Sequence, residues 1–337
     1  MMSSFLAAAA LFAGRPATAG PDYLERLDVR SFIEAMHEKH GIEISDLERI
    51  MGAVIYQPTV VRLTTPVPSS APSPARSYTN YRAKFLTPEL ISAGAQFWTA
   101  NAEYLQRAQQ EYGVPPELIL GILGVETRYG QNTGTFRAVD ALATIAFDGA
   151  RRQDFFRGEL EDLLLLARDK GIDPLSVKGS YAGAVGLPQF MPSSYRRYAV
   201  DYDGDGVIDL RRSAADAIGS VANYIREFGW IPGEPPKAPV RLLPGSEAEL
   251  VSGLDRVHDL LEVQGKGVVF SGREPPDGPI SIFELPTPGS PSKFYAGFNN
   301  FEVVTRYNRS TFYASAVFEL AEAIRKARSE VQLASSR

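Results

Sequence analysis

The chain has 337 residues, 44% of them hydrophobic and 22% charged, with a net charge of −5. That length exceeds one small core and predicts two or three domains, and the acidic balance argues against a broad cationic nucleic-acid interface. There is no cysteine, which excludes disulfides, thiol nucleophiles and thiolate metal sites, and only three histidines are present.

The chain opens on a short apolar run, Phe5 to Ala13, followed by the small-residue pattern Ala17-Thr18-Ala19. Residues 1–19 therefore read as a cleavable signal peptide cut after Ala19, although no Lys or Arg precedes the run. The run is too short to span a bilayer comfortably, and there is no cysteine for a lipid anchor. Residues 20–114 read as a helical region, with helices from Asp22 to about Tyr56 and again from Pro88 through Tyr112. Between them, Pro58 to Ser77 is rich in Pro, Ser and Thr and reads as an extended surface connection. His37 and His40 fall three apart on one of these helices, and with no third ligand nearby they read as a solvated face.

Residues 115–231 read as a second helical unit. It begins at Pro115-Pro116, a helix-start signal because proline's missing N–H would be unpaired in the first turn anyway. Ile119, Ile122, Leu123 and Glu126 then share one helical face, so an inward stripe ends in a carboxylate. A carboxyl group at an apolar site resists ionisation and holds a proton near neutral pH, the property a general acid for glycoside cleavage needs. Periodicity alone favours the other reading, in which Glu126 lies at the edge of the stripe and pairs with Arg128 or another cation. Asp154 to Lys170 is a strongly periodic helix ending at Gly171, and Ala214 to Phe228 is another ending at Gly229. A Gly-rich turn, Lys178 to Pro192, would let backbone approach a ligand closely, or serve a tight helix crossing.

Between these helices, Asp201-Tyr202-Asp203-Gly204-Asp205-Gly206-Val207-Ile208-Asp209 matches nine positions of an EF-hand loop, with oxygen donors at 1, 3, 5 and 9 and glycine at 6. Arg212 stands where the closing Glu belongs, and Asp216 is the next carboxylate. The loop suits a structural Ca2+. Residues 232–300 turn Pro- and Gly-rich with short β-type runs, such as Gly267 to Phe270 and Ile280 to Leu285, and read as a small β-rich insert. Residues 301–337 close the chain with a helix from Thr311 to Arg328. The expected class is mainly α (α+β).

Several of these stretches, in order, resemble the membrane-bound lytic murein transglycosylase B family. They are Tyr112 to Glu117, Gly121 to Gly130, Asp140 to Thr144, Arg151-Arg152, Gly186 to Tyr195, Asp216 to Tyr224 and Arg306-Tyr307-Asn308. The resemblance implies a lysozyme-like helical catalytic core with an added helical domain and the β-rich insert. It implies cleavage of the β-1,4 bond between N-acetylmuramic acid and N-acetylglucosamine in peptidoglycan, leaving 1,6-anhydro ends, with Glu126 as the sole catalytic carboxylate. Carried over by position, Tyr81, Arg151, Arg152, Ser180, Gln189, Tyr307, Asn308 and Tyr313 are implied to bind substrate. Asp201, Asp203, Asp205, the Val207 carbonyl and Asp216 are implied to bind a structural Ca2+, with no catalytic cofactor. The implied setting is periplasmic, with the chain acting as a monomer on peptidoglycan glycan strands and with other cell-wall enzymes as candidate partners. Two rivals stand beside this reading. One is a goose-lysozyme-like hydrolase in which Asp140 or Asp148 activates water, and the other is a non-catalytic, calcium-stabilised wall-binding protein.

Overall fold

The computed structural model describes residues 22–65, 76–246, 251, 253–255, 257–272 and 274–335, so the signal-peptide reading of 1–19 lies outside the described residues. The chain is built around α7 (Pro116–Thr127), which starts with Pro115 as N-cap and Pro116 in its first turn. Leu118 to Gly124 are all buried, so α7 is enclosed on every side, and the single inward stripe expected of it is too narrow a description. It is crossed by α14 (Thr311–Ser335). The two backbones come so close that a Cβ on Gly121 would stand 2.6 Å from the Val317 carbonyl oxygen. Beyond Thr127, Arg128 and Tyr129 both adopt left-handed φ (53° and 59°) and Gly130 follows at 90°, which turns the chain sharply away from the helix end.

Two further helices, α5 (Pro88–Ala100) and α6 (Ala102–Tyr112), pack against α7, and α11 (Ala214–Glu227) lies against α6 and α7. A second layer pairs α8 (Ala138–Asp148) with α9 (Gln153–Asp169), and α10 (Pro192–Tyr198) packs on α9. Every residue of α8 from Ala138 to Phe147 is buried, because the N-terminal helices α1 (Leu27–His40), α2 (Ile44–Gly52) and α3 (Pro58–Thr64) cover this layer. His37 and His40 are less solvated than expected: His37 bonds the Ile42 carbonyl and His40 pairs with Glu161 across to α9.

Pro58 to Thr64 forms α3, where an extended connection was expected. Pro58 sits in the first turn, and fully buried Val60 packs on Ala141 and Ile145, so tertiary burial outweighs the β-branched run Thr59-Val60-Val61. Residues 66–75 of that connection lie outside the described residues.

The β-rich insert is a four-stranded antiparallel sheet of β3 (Lys237–Leu242), β4 (Val268–Phe270), β5 (Ser281–Leu285) and β6 (Lys293–Gly297), in the order β4-β3-β6-β5. Its own core holds Val240, Ile280, Ile282 and, from α12 (Leu260–Gly265), Val263. It joins the main core through stacked rings: Phe283 lies 4.6 Å from Phe301 of α13 (Asn299–Thr305), and Phe301 lies 6.1 Å from Phe318 of α14. A two-stranded ribbon, β1 (Phe136–Arg137) with β2 (Lys178–Gly179), leads into the Gly-rich turn. The short helix α4 (Tyr78–Arg82) is tied to the sheet edge, where the Tyr78 N–H donates to the Pro286 carbonyl.

Candidate active site

Glu126 is the penultimate residue of α7, and it keeps part of its surface open while its carboxyl is desolvated. Burial pushes that carboxyl up to about 7, and a hydrogen bond from the Tyr313 hydroxyl, 2.6 Å from Oε1, works in the opposite direction. No cation among the described residues acts on this carboxyl, so the alternative in which Glu126 pairs with Arg128 is not what the fold builds.

Three tyrosines far apart in sequence converge here. Tyr313 and Tyr307 stack at 6.5 Å with planes 15° apart, and the Tyr307 hydroxyl donates to the Pro188 carbonyl at 2.6 Å. Burial and the Glu126 charge hold both hydroxyls well above the ordinary tyrosine value. Tyr81 on α4 packs edge-on to Phe312 at 5.6 Å, and its hydroxyl is raised first by burial and then by Glu126. The polar floor is the 186–190 turn. Gly186, at φ 78°, admits the Leu210 carbonyl where a Cβ would stand 2.4 Å away. Gln189, itself at φ 50°, donates its Nε2 to the Thr133 and Gly186 carbonyls. The Ser180 hydroxyl accepts from the amides of Ala182 and Ala184 and so shapes the preceding loop.

Other expected site residues stand apart from this cluster. Arg151 and Arg152 are exposed at the start of α9, with the Arg152 guanidinium 4.0 Å over the Phe155 ring and its charge acting on Glu159, and neither bonds a residue of the Glu126 cluster. Asn308 is exposed, next to Tyr307. Two residues of the site escaped sequence reasoning. Thr127 is fully buried, donating to the Leu187 carbonyl at 2.8 Å and accepting from the Gly130 amide, so it fastens the floor to the end of α7. Tyr224 packs 4.9 Å from Tyr307 and feels the Glu126 charge. Its place on the inward face of a helix marks it as core, and nothing in its spacing signals a cleft.

Asp140 and Asp148 are both committed elsewhere. Asp140 accepts two guanidinium N–H bonds from Arg137 and the amide of Ile55. Asp148 accepts from the Tyr23 hydroxyl and from Arg26. Neither contributes to the environment of Glu126, whose perturbation comes from burial and Tyr313.

In the EF-hand-like loop, Asp201, Asp203 and Asp205 each present a carboxylate oxygen, all within 4.8 Å of one another and exposed. Three converging hard oxygens suit a Ca2+-type cation, which would offset their mutual repulsion. Val207 is exposed in the same loop. Asp216 lies outside that trio: it is fully buried, and its two oxygens accept the amides of Tyr202 and Asp209, both at 2.7 Å. It belongs to the first turn of α11, where the Ser213 cap fixes its backbone, so it braces the loop's two arms from beneath.

A helical core that presents one desolvated glutamate to a cluster of tyrosines is the arrangement of a glycosidic-bond-cleaving enzyme, and residues 25–322 match the transglycosylase SLT domain family, to which the chain belongs. The chain is 41% identical over 323 residues to the membrane-bound lytic murein transglycosylase B of Escherichia coli K12, covering 92% of this chain and 86% of that protein. Among solved structures, the E. coli lytic transglycosylase Slt35 superposes with a TM-score of 0.83 in complex with bulgecin A (41% identity; 92% and 96% of the chains). Its complex with calcium gives 0.82 (40%; 92% and 96%). SltB3 of Pseudomonas aeruginosa in complex with NAG-anhNAM-pentapeptide gives 0.76 (30%; 91% and 80%). The fold is thus the lysozyme-like one of this family, mainly α with a small β-rich insert.

Proposed function

We propose that this chain is a lytic transglycosylase that cleaves the β-1,4 bond between N-acetylmuramic acid and N-acetylglucosamine in peptidoglycan, leaving 1,6-anhydro-muramoyl ends. The observation that carries this reading is a carboxyl raised to about 7, with no second carboxylate among the described residues acting on it. Ordinary retaining or inverting glycosidases need two carboxylates at a set separation. With one, the same group has to act twice. Protonated Glu126 gives its proton to the glycosidic oxygen as the bond to the muramoyl anomeric carbon breaks. The resulting carboxylate then takes the proton of the muramoyl 6-hydroxyl as O6 bonds to that carbon. Glu126 ends protonated, and no water is consumed. A group titrating near neutrality suits both halves, because the driving forces for giving and taking the proton are then comparable.

Tyr81, Tyr307 and Tyr313 would offer flat apolar faces to sugar rings, and Gln189, Ser180 and Asn308 would offer amide and hydroxyl partners to acetamido groups. Arg151 and Arg152 would meet carboxylates of the glycan's lactyl or peptide groups at the far rim. Asp201, Asp203 and Asp205 would hold a structural Ca2+, a reading supported by the calcium complex of the E. coli relative. No helix among the described residues is long and apolar enough to cross a membrane. Export through residues 1–19 to the periplasm, and action there as a monomer, complete the proposal. Mass spectrometry of fragments released from purified peptidoglycan tests it. Anhydro-muramoyl ends are expected, and reducing ends heavier by one water would make the enzyme a hydrolase.

A further inference from the structure

Between α4, α14 and strands β5 and β6 of the sheet lies a cavity of about 530 Å3. Its volume falls in the range of small-ligand pockets. Tyr78 and Arg82 of α4 both donate to Glu319 (2.7 and 2.6 Å), which fixes the guanidinium and neutralises one of the cavity's two carboxylates. The other carboxylate, Glu322, forms no ion pair among the described residues. Lys293 and Lys326 stand on the rim, both exposed, and likewise form no ion pair among the described residues. The Lys237 ammonium sits 4.7 Å over the Tyr295 ring with no ion pair among the described residues, and burial pushes it down to about 8 against the opposing pull of the Glu319 and Glu322 charges. Cations thus outnumber carboxylates around this cavity, in a chain whose net charge is −5. An arginine held by one bond, with lysines opposite, is suited to a carboxylate. The phenol rings of Tyr78 and Tyr295 would cover the apolar part of a short peptide.

We propose that this cavity is a second, non-catalytic site that takes the carboxylate-bearing stem peptide of a peptidoglycan strand other than the one in the Glu126 cleft. The inference rests on the function proposed above for its ligand, and its consequence is avidity. Two weak contacts with one polymer raise the effective concentration of the cleft on the wall beyond what either achieves alone.

Calorimetric titration of the full chain with a peptidoglycan-derived stem tripeptide, free of sugar, tests it without turnover. The Lys293→Ala/Lys326→Ala variant should bind the tripeptide about tenfold more weakly, with an unchanged melting temperature because both side chains are exposed. Acetate and phosphate, titrated separately, should not displace the peptide. Equal affinity in parent and variant would overturn the proposal, as would full displacement by phosphate, which would leave only an unselective anion site. Product analysis is independent: anhydro ends without peptide binding would sink this site alone, and peptide binding without anhydro ends would sink the assigned activity.

Discussion

Glu126 owes its chemistry to what surrounds it. Its carboxyl is raised to about 7 by burial, and the one polar contact that restrains the rise is the Tyr313 hydroxyl. Glu126→Gln should therefore lower kcat by a factor on the order of a thousand or more while leaving the circular dichroism spectrum unchanged. Activity of the parent should decline as pH rises above about 7, since the acid form is required for the first proton transfer. Stability follows the same group. Its folded pKa lies above the unfolded one, so it favours folding below the ordinary glutamate pKa, and that contribution is lost as pH rises through about 7. Urea melts at pH 5 and pH 9 should then show Glu126→Gln gaining on the parent at the higher pH, by at most about 3 kcal/mol. Tyr313→Phe keeps the stacked ring but removes the bond that favours the carboxylate. Its pH–rate profile should shift to higher pH, with kcat lower by about tenfold. A profile that stays in place would separate Tyr313 from the titration of Glu126.

At the scale of elements, the crossing of α7 and α14 carries the cleft, because one helix brings Glu126 and the other Tyr313. Gly121→Ala would push a methyl group against the Val317 carbonyl and the Ala321 side chain. It should cost about 1–3 kcal/mol in thermal or urea unfolding and lower activity with it. Much of this level was legible in the sequence. Helix starts at Pro116 and stops at Gly171 and Gly229 follow from local backbone chemistry, which a sequence carries openly. The position of Glu126 on α7 was equally readable. Its environment was not, because burial on all sides of α7 depends on partners some 190 residues away (Tyr313 is 187 positions distant). Tyr81, Tyr307 and Tyr313 could be assigned to the site only through the family resemblance, and Tyr224 not at all. α3 was hidden for a similar reason: its proline-led, β-branched sequence is helical because Val60 has Ala141 and Ile145 to pack against. The two amides that Asp216 serves were equally hidden, because its spacing says nothing about them.

Across the whole molecule, Asp140 and Asp148 reach back more than 80 residues to hold the N-terminal helices, through Ile55, Tyr23 and Arg26. The N-terminal region therefore uses the carboxylates that a hydrolytic mechanism would have needed beside Glu126. The EF-hand-like loop joins α10 to α11. Chelating calcium should lower the melting temperature by about 2–5 °C, since a ligand bound only by the folded state stabilises it. Asp203→Asn/Asp205→Asn should melt at the same temperature with and without chelator. A parent whose melting point ignores chelation, with the metal shown to be gone, would reduce the loop to an acidic turn. The brace beneath that loop also bears on rates. Asp216 clasps the Tyr202 and Asp209 amides, bonds that do not involve the three clustered carboxylates, so the arms are tied together independently of them. A cation would enter and leave a preformed, solvent-facing cup, with exchange set by its own dehydration and by diffusion, and no refolding step would slow it.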